Sequence, residues 1–259
     1  MVLANPFTLD TVEWLVSFQT GGIHLYDILG NLKSTSALES AYGFTTNYDQ
    51  RALVVLDSST PQSLHFVSVD DLSTKSTHPV SANTASFTWI AQGPSNNFVL
   101  VFDGEPVIYS TSQTGNAEEG STFFNPDLNG ISLSNAYELK NFQGSYLIAG
   151  DFDPYKIRKY ASDGTFQFGF GLQTILPGTC KFDYNRINKF LFVVCDGQDM
   201  QLGRVTVWSP DPQLINTVLI DVDPDSAARN HGIAVYNALM AVIWDNEMFI
   251  YKWQTQTTL

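Results

Sequence analysis

The chain has 259 residues, 44% of them hydrophobic, which is enough for a sizeable core, and its 26 acidic and 13 basic residues give a formal net charge of −13. Nucleic-acid binding depends on Lys and Arg that neutralise phosphates, so this balance argues against nucleic acid, and against an anionic membrane surface, as partners. The densest basic group, Lys156, Arg158 and Lys159, predicts only a small patch on an acidic body, and the acidity as a whole indicates solubility.

Short apolar runs that end in a polar residue recur along the chain. In order they are "WLVSFQ" (14–19), "ALVVLD" (52–57), "NFVLVFD" (97–103), "YLIAGD" (146–151), "FLFVVCD" (190–196) and "LMAVIWD" (239–245). Their last residues, here called the marker residues, are Gln19, Asp57, Asp103, Asp151, Asp196 and Asp245. The spacings of 38, 46, 48, 45 and 49 residues indicate six copies with the period of a four-stranded propeller blade.

Each marker run is preceded by one candidate strand and followed by two more, which gives four strands in each copy. In the first copy the preceding strand is "FTLDTV" (7–12). In the fourth copy the stretch "KIRKYASDGTFQFGFG" (156–171) contains a strand, a polar turn and a second strand, which together form the outer hairpin. Gly, Asp, Asn and Pro in such turns supply the backbone angles that hairpins need. Period-2 alternation dominates, and no long helical periodicity competes with it.

The repeat predicts an all-β fold, a single six-bladed β-propeller over residues 1–259 with four antiparallel strands in each blade. A sandwich of irregular strands is the alternative, but six unrelated segments would not share one marker at such even intervals. The predicted blades span residues 6–38, 42–80, 85–125, 135–171, 179–220 and 231–259.

Closure of the ring has two candidate strands. The C-terminal "QTQTTL" (254–259) could be the outermost strand of the last blade, or the N-terminal "MVLAN" (1–5) could pair there and fasten the two ends. Either arrangement would remove the exposed edge that an open ring leaves. If neither segment pairs there, a strand contact between molecules is expected, as in an oligomer or a filament.

Two segments, 146–171 and 232–253, resemble NHL-type repeats, in which Gly-Ile-Ala-Val precedes an apolar strand that ends in Asp. The resemblance is closest in the last three copies and weak in the first three, and Gln19 replaces the Asp in the first copy. It implies a six-bladed propeller but carries no function, because NHL-like propellers include RNA binders, protein-interaction modules and, more distantly, enzymes. The matching residues are Gly232, Ile233, Ala234, Val235, Asp245, Ile157, Tyr160, Asp163 and Gly164.

The marker Asp residues are predicted to form a ring on one face of the propeller. Their repetition in all copies but the first favours a structural role, in which each carboxylate accepts backbone N–H bonds within its own loop. The functional alternative is an acidic rim that attracts cations or a basic partner.

His231 lies in "ARNHGIAV", where the chain enters the last inner strand on the same face. It is either a general base or metal ligand beside Asp245 or Asp196, or a histidine that satisfies backbone groups between blades, and the resemblance to NHL-type repeats favours the second role. The sequence has no HxxH, HExxH or GxSxG spacing, so it assigns no catalytic residue and no metal ligand. The predicted ligand-binding set is Asp103, Asp151, Asp196, Arg229, Asn230, His231, Trp244 and Asp245.

Three functions fit these observations. The favoured one is a non-enzymatic binding or scaffold propeller that recognises a protein, a small molecule or a glycan on its acidic loop face. A metal-dependent lactonase-like hydrolase or a cyclase, with its site at the central channel and a divalent cation as cofactor, is the alternative by analogy of fold. The third is a carbohydrate-binding or assembly-forming propeller, suggested by a surface rich in Ser, Thr and Asn.

The two cysteines, Cys180 and Cys195, exclude a disulfide-rich scaffold, and they flank a predicted hairpin across which they could face each other. A bond there requires Cα atoms within about 7 Å. The sequence has no N-glycosylation acceptor, no stretch of about 18 apolar residues and no intact secretory signal at the N-terminus. The compartment stays open, with a slight preference for an intracellular one, since a mature secreted chain would look the same.

Overall fold

Every regular element that the structure describes is a β-strand, and within that part of the chain no helix is long and apolar enough to span a membrane. The strands form six antiparallel sheets, numbered here 1 to 6 in chain order, in which neighbouring strands follow one another along the chain. The computed structural model describes residues 2–4, 15–19, 22–27, 29–38, 41–46, 52–57, 62–79, 87–93, 98–102, 108–111, 122–124, 136–142, 144–150, 152–172, 176, 178–196, 204–219, 230–236, 238–244 and 247–252.

The first three sheets each contain four strands. Sheet 1 contains β1 (Val2–Ala4), β2 (Leu15–Gln19), β3 (Gly22–Tyr26) and β4 (Leu32–Ser36). Sheet 2 contains β5 (Ala41–Thr46), β6 (Ala52–Asp57), β7 (Ser63–Ser68) and β8 (Thr74–Pro79). Sheet 3 contains β9 (Phe87–Gln92), β10 (Phe98–Phe102), β11 (Ile108–Thr111) and β12 (Thr122–Phe124).

Sheets 4 and 5 also contain four strands, whereas sheet 6 has three within the described residues. Sheet 4 contains β13 (Ala136–Phe142), β14 (Ser145–Gly150), β15 (Tyr155–Tyr160) and β16 (Phe166–Leu172). Sheet 5 contains β17 (Thr179–Tyr184), β18 (Leu191–Asp196), β19 (Arg204–Trp208) and β20 (Leu214–Leu219). Sheet 6 contains β21 (Asn230–Tyr236), β22 (Leu239–Trp244) and β23 (Glu247–Lys252).

The all-β prediction is confirmed, and five of the six sheets have the four strands expected in every blade. Sheet 6 has three described strands, and the predicted outermost strand, 254–259, lies outside the described part. The N-terminal strand does not fasten the last sheet, because Val2 pairs with Ser17 and β1 is an end strand of sheet 1. There it pairs with the backbone N–H and C=O groups along the edge of β2, which would otherwise lack a strand partner. The predicted first strand, 7–12, lies outside the described residues.

The core consists of six apolar clusters, and each joins two sheets that follow one another around the molecule. Tyr26 of sheet 1 packs against the cluster of sheet 6 that contains Ile243, so the cycle returns to its start. Sheets packed face to face around a closed cycle form a β-propeller. Pairs from the other five clusters are Ile23 with Phe44, Val54 with Ile90, Trp89 with Tyr146, Phe142 with Phe182, and Val194 with Val242.

The marker residues fall at the ends of the second strands, as predicted. Gln19, Asp57 and Asp196 end β2, β6 and β18, and the other three markers directly follow β10, β14 and β22. Because the second strands hold equivalent positions, their ends lie on one face, here called the marker face. The turns that join first to second strands, and third to fourth strands, therefore lie on the opposite face, here called the hairpin face.

The predicted hairpin at 156–171 consists of β15 and β16, the third and fourth strands of sheet 4. The basic group that it carries does not form an exposed patch, since Lys156 and Arg158 are buried. The Arg158 guanidinium lies 4.3 Å from the Phe152 ring centre and donates a hydrogen bond of 2.9 Å to the carbonyl of Asp153. Packing against an aromatic face and a carbonyl removes this charge from the surface.

Cys180 and Cys195 form a disulfide between β17 and β18. They are directly opposite each other in the strand pairing, with Cα atoms 4.0 Å apart, and both are buried. The bond therefore ties an innermost strand of the propeller to the strand beside it.

Candidate functional site

The residues predicted to bind a ligand on the marker face are described only in part. Asp103, Asp151, Arg229 and Asp245 lie outside the described residues. The backbone of three others is described, at the end of β18 for Asp196 and at the start of β21 for Asn230 and His231. The prediction of a ligand site on this face therefore stays a prediction.

Trp244 is one of the residues predicted to bind a ligand, but its side chain does not reach an open surface. It is 6% exposed and packs between sheets 5 and 6, in the cluster that contains Val194 and Val242. Successive side chains of a strand point to opposite faces of its sheet, so Trp244 and Ile243, the last two residues of β22, lie on opposite faces of sheet 6. Trp244 fills the space between sheets 5 and 6. Its indole Nε1 has no hydrogen-bond partner among the described residues.

Among the markers, Asp57 shows how a carboxylate is used at this position. Its Oδ2 lies 3.1 Å from Nε2 of His65 on the next strand, and the same nitrogen is 3.2 Å from Oγ of Ser63. The other ring nitrogen of His65, Nδ1, is 3.0 Å from Oγ1 of Thr77. Asp57 thus joins its strand to β7 through a histidine, a partner that the sequence did not pair with it.

Polar side chains connect the innermost strands of neighbouring sheets around the central channel. Gln92 donates to the carbonyl of Thr46 at 2.8 Å, and Trp89 donates through Nε1 to the carbonyl of Leu139 at 2.9 Å. Two carboxylates continue the series, from β13 to β17 and from β17 to β21. Backbone groups on the inner edge of a sheet have no further strand to pair with, and these side chains satisfy them.

Lys140, Glu138 and Asp183 form a charged cluster in this series. The Lys140 ammonium lies 3.1 Å from Oδ1 of Asp183 and 3.7 Å from Oε1 of Glu138. The remaining oxygens accept backbone bonds, Glu138 Oε2 from the N–H of Phe182 at 3.2 Å and Asp183 Oδ2 from the N–H of Val235 at 2.8 Å. One cluster therefore spans three sheets.

The environment of the cluster changes the pKa of two of its groups. Burial by itself would lower the pKa of the Lys140 ammonium, but the charges of Asp183 and Glu138 outweigh burial and raise that pKa above its usual value. Burial raises the pKa of the Tyr184 hydroxyl, and Arg186 offsets part of that increase. At neutral pH the lysine is a cation and the tyrosine is an uncharged hydroxyl.

A cavity of about 60 Å³ opens beside this cluster and is called here the channel pocket. It is lined by the last residues of four innermost strands, so it lies at the hairpin-face end of the central channel. Its wall combines apolar groups such as Phe44 and Ile90 with polar ones such as Lys140, Asn141 and Tyr184. The lining residues are 44–46, 90–92, 139–141, Asp183, Tyr184 and Arg186.

The strands that carry the channel pocket are locally basic. Residues 136–142 and 179–190 contain four basic and two acidic side chains, a net charge of +2, in a chain whose net charge is −13. Lys181 adds to this region, with its ammonium 5.0 Å from the Trp89 ring centre. The electrostatic potential in this region is therefore more favourable for an anion than over the acidic remainder of the protein.

The turn between β17 and β18, residues 185–190, is held by its own hydrogen bonds. The buried side chain of Asn185 accepts the backbone N–H of Ile187 at 2.9 Å through Oδ1, and the Asn185 carbonyl accepts the N–H of Lys189 at 2.8 Å. Arg186 and Ile187 are exposed at its tip. The turn thus presents a cation and an apolar side chain at the edge of the channel pocket.

The channel pocket was not predicted from the sequence, although the sequence carries a signal for it. The predicted inner strands "NAYELK" and "CKFDYN" contain charged residues at alternate positions, where a buried strand would be apolar. Charges on a strand that faces the axis of a propeller must pair with one another or face a channel. No group of three or more His, Cys, Asp and Glu side chains suited to a metal ion occurs within the described ranges.

Comparisons with known proteins support the fold. No protein-family model matches the sequence, and no curated protein matches it. The structure is similar to virginiamycin B lyase from Staphylococcus aureus, with a TM-score of 0.57 and 12% identity over 95% of this chain and 78% of that one. It is also similar to a streptogramin B lyase, with a TM-score of 0.59 and 11% identity over 95% and 76% of the two chains.

A third similar structure is a catalytically inactive His-to-Ala variant of the Staphylococcus aureus virginiamycin B lyase with quinupristin. Its TM-score is 0.56, with 10% identity over 92% of this chain and 74% of that one. At such identities the similarity shows a shared β-propeller fold and does not transfer an activity.

Proposed function

We propose that the protein is a non-enzymatic binding propeller that holds an anionic, hydrogen-bond-accepting group of its ligand in the channel pocket. The proposal rests on the burial, the position and the hydrogen bonding of the Lys140 side chain. Its side chain is only 13% exposed, it lines the pocket, and its hydrogen bond within the described residues goes to Asp183. An ammonium has three N–H donors; one bonds Asp183, and Glu138 lies within ion-pair distance at 3.7 Å, which leaves at least one donor for a group in the pocket.

Neighbouring side chains favour an acceptor rather than a donor as that group. Tyr184 and Arg186 line the same pocket, and the hydroxyl of the first and the guanidinium of the second can both donate. Asn141 accepts the backbone N–H of Gly144 at 3.3 Å through Oδ1, which leaves its amide hydrogens as further donors. Donors that converge on one small volume, in a region of net charge +2, suit a carboxylate or another oxygen anion.

The proposal predicts that simple carboxylates bind. Acetate and succinate are titrated into ¹⁵N-labelled protein, and shifts are expected in the backbone amides of residues 140–141 and 183–186. Lys140→Met should abolish them, whereas Lys75→Met, which removes an exposed lysine from β8, should leave them intact. Because Lys140→Met leaves two carboxylates without their cation and could unfold the protein, Arg186→Met, an exposed position, serves as a second variant and should weaken binding. Equal shifts in all variants, or no shift with either anion, would overturn the proposal.

The marker face remains a second candidate surface for a protein, small-molecule or glycan partner. The buried Trp244 Nε1 without a described partner, at the end of β22, supports a polar group nearby. The proposed contacts are the residues predicted from the sequence other than the buried Trp244, namely Asp103, Asp151, Asp196, Arg229, Asn230, His231 and Asp245. Substitution of Asp196 and Asp245 by Asn should reduce partner binding without affecting acetate in the channel pocket.

A lyase is the second candidate function, because the similar structures named above are virginiamycin B and streptogramin B lyases whose fold covers most of this chain. Loss of intact virginiamycin B, followed by liquid chromatography, tests this activity directly. If it occurs, His231→Ala tests the one histidine that the sequence places at an inner strand on the marker face. Turnover by the wild-type protein that this variant abolishes would place the enzyme ahead of the binding protein.

For the architecture we propose that the six sheets are six blades of NHL-like type. Gly232 to Val235 lie in β21, and Ile157 and Tyr160 lie in β15, at the positions that the resemblance gives them. In the turn of sheet 4, Asp163 accepts the N–H of Thr165 at 2.9 Å. An experimental structure that counted a number of blades other than six would reject this proposal.

A further inference from the structure

We infer that the group entering the channel pocket is a carboxylate side chain of an acidic protein segment, which lies across the hairpin face with an apolar residue against Ile187. This inference rests on the proposed function and adds the class of partner. It follows from the size of the pocket, from the surface around it and from the charge of that surface.

The channel pocket is too small for a whole ligand. Sites for small molecules usually enclose about 300–1,000 Å³, and a water molecule takes about 30 Å³ in the liquid. A cavity of about 60 Å³ therefore admits a group of a few atoms, such as a carboxylate. The rest of the partner must lie outside, on the hairpin face.

The hairpin face exposes apolar side chains that such a partner could cover. Six large apolar side chains are exposed among the described residues, and four of them lie in or beside turns of this face. Ile187, 65% exposed, is next to the pocket residue Arg186 in the chain. The other three are Leu29, Leu32 and Leu214.

The turn at 185–190 is already ordered, so a partner would not have to order it on binding. Asn185, 1% exposed, fixes the turn from beneath by accepting the N–H of Ile187, and Asn188 accepts the N–H of Phe190 at 3.0 Å. A preorganised apolar anchor contributes more to affinity than a mobile one, because less conformational entropy is lost. Ile187 is such an anchor.

The charges around the pocket select an acidic partner. Arg186 is exposed at the rim, and the Lys189 ammonium donates to the Arg186 carbonyl, which keeps a second cation at the same turn. Inside the pocket Lys140 is paired with Asp183 and Glu138, so the net charge of +2 in this region depends on Lys181, Arg186 and Lys189. Most of the molecule repels acidic segments, since its net charge is −13, so this region gives such a segment one place to bind.

The test compares three probes by fluorescence anisotropy and competition. The first is an acetylated, amidated hexapeptide Gly-Ser-Glu-Leu-Ser-Gly, the second is the same peptide with Gln for Glu, and the third is acetate. The Glu peptide should bind at least about tenfold more tightly than either of the others, which corresponds to about 1.4 kcal/mol. Binding of the Glu peptide no tighter than that of acetate would overturn the inference.

Substitutions at two exposed positions separate the contribution of the apolar contact at Ile187 from that of carboxylate binding in the channel pocket. Ile187→Ser should weaken the Glu peptide several-fold and leave acetate unchanged, because acetate does not reach the turn. Leu29→Ser, on the hairpin face of a different sheet, is the matched control and should leave the peptide unchanged. If Ile187→Ser has no effect, or if an RNA decamer displaces the peptide with higher affinity, the partner class is wrong. Failure of acetate itself would instead reject the proposed function.

Discussion

Asp183 accepts the backbone N–H of Val235 at 2.8 Å, and with its other oxygen it accepts the Lys140 ammonium at 3.1 Å. A single side chain on β17 thus contacts the innermost strands of the sheets on both sides. Hydrogen bonds within a sheet cannot do this, because each sheet ends at its inner strand. The polar residues of the inner strands therefore hold the ring together at its axis, while apolar clusters hold it farther out.

Glu138 should be required for stability mainly as an acceptor for the Phe182 N–H. Glu138→Ala leaves that buried N–H without a partner, and a loss of about 1–3 kcal/mol in the free energy of unfolding is expected. Glu138→Gln keeps a carbonyl oxygen at the same place and should lose less. Urea unfolding of both variants measures the difference, and equal losses would show that charge rather than the acceptor matters.

Stability should fall at alkaline pH through Lys140. Its pKa in the folded protein is raised above 10.5, so the folded state keeps its proton at pH values where the unfolded chain loses it. The contribution is fully present below about pH 10.5 and is lost as the pH rises through the raised pKa. Unfolding free energies at pH 9, 10 and 11 should therefore decline more steeply for the wild type than for Lys140→Met.

Lys75→Met is the control for that experiment and should keep the slope of the wild type. The raised pKa of Tyr184 acts in the same direction, because the buried hydroxyl stays protonated longer in the folded state. Tyr184→Phe should thus remove a separate part of the decline. Parallel curves for the wild type and Lys140→Met would contradict the assignment of the decline to the cluster.

Gly169 should resist substitution because the Tyr155 ring lies directly over it. A Cβ added at Gly169 would come within 2.2 Å of that ring, so Gly169→Ala should lower the free energy of unfolding by about 1–3 kcal/mol. Gly43→Ala is the matched control, since its Cβ would meet Ile90 at an ordinary 3.7 Å. Gly43→Ala should be neutral or stabilise by up to about 1 kcal/mol. Thermal or urea unfolding gives both values, and equal losses would contradict the packing argument.

The disulfide should contribute measurably to stability. Its cysteines are 15 residues apart, and closing a loop of this length is expected to stabilise by about 3 kcal/mol. The double variant Cys180→Ala, Cys195→Ala should lose about that amount in urea unfolding. Wild-type protein unfolded in the presence of a reductant should behave in the same way. Two free thiols in the denatured, unreduced wild type would contradict the bond.

The repeat could be predicted because it rests on local chemistry. Alternating apolar residues make strands, Gly164 supplies the positive φ that the turn of sheet 4 needs, and marker residues such as Asp57 end the second strands. These features depend on neighbours in the chain, so the all-β fold and the position of the markers follow from the sequence. The opposition of Cys180 and Cys195 follows in the same way, from one hairpin.

The tertiary structure decided which charges meet. Asp183 lies in another sheet than Glu138 and Lys140, 43 residues after Lys140 in the chain, and no local rule pairs it with them. It also decided that Trp244 is buried between sheets and that Val2 to Ala4 form part of the first sheet. The physical reason is that a propeller brings equivalent ends of separate sheets to one axis. The sequence by itself determined the strands, and only the closed ring determined the pocket that they enclose.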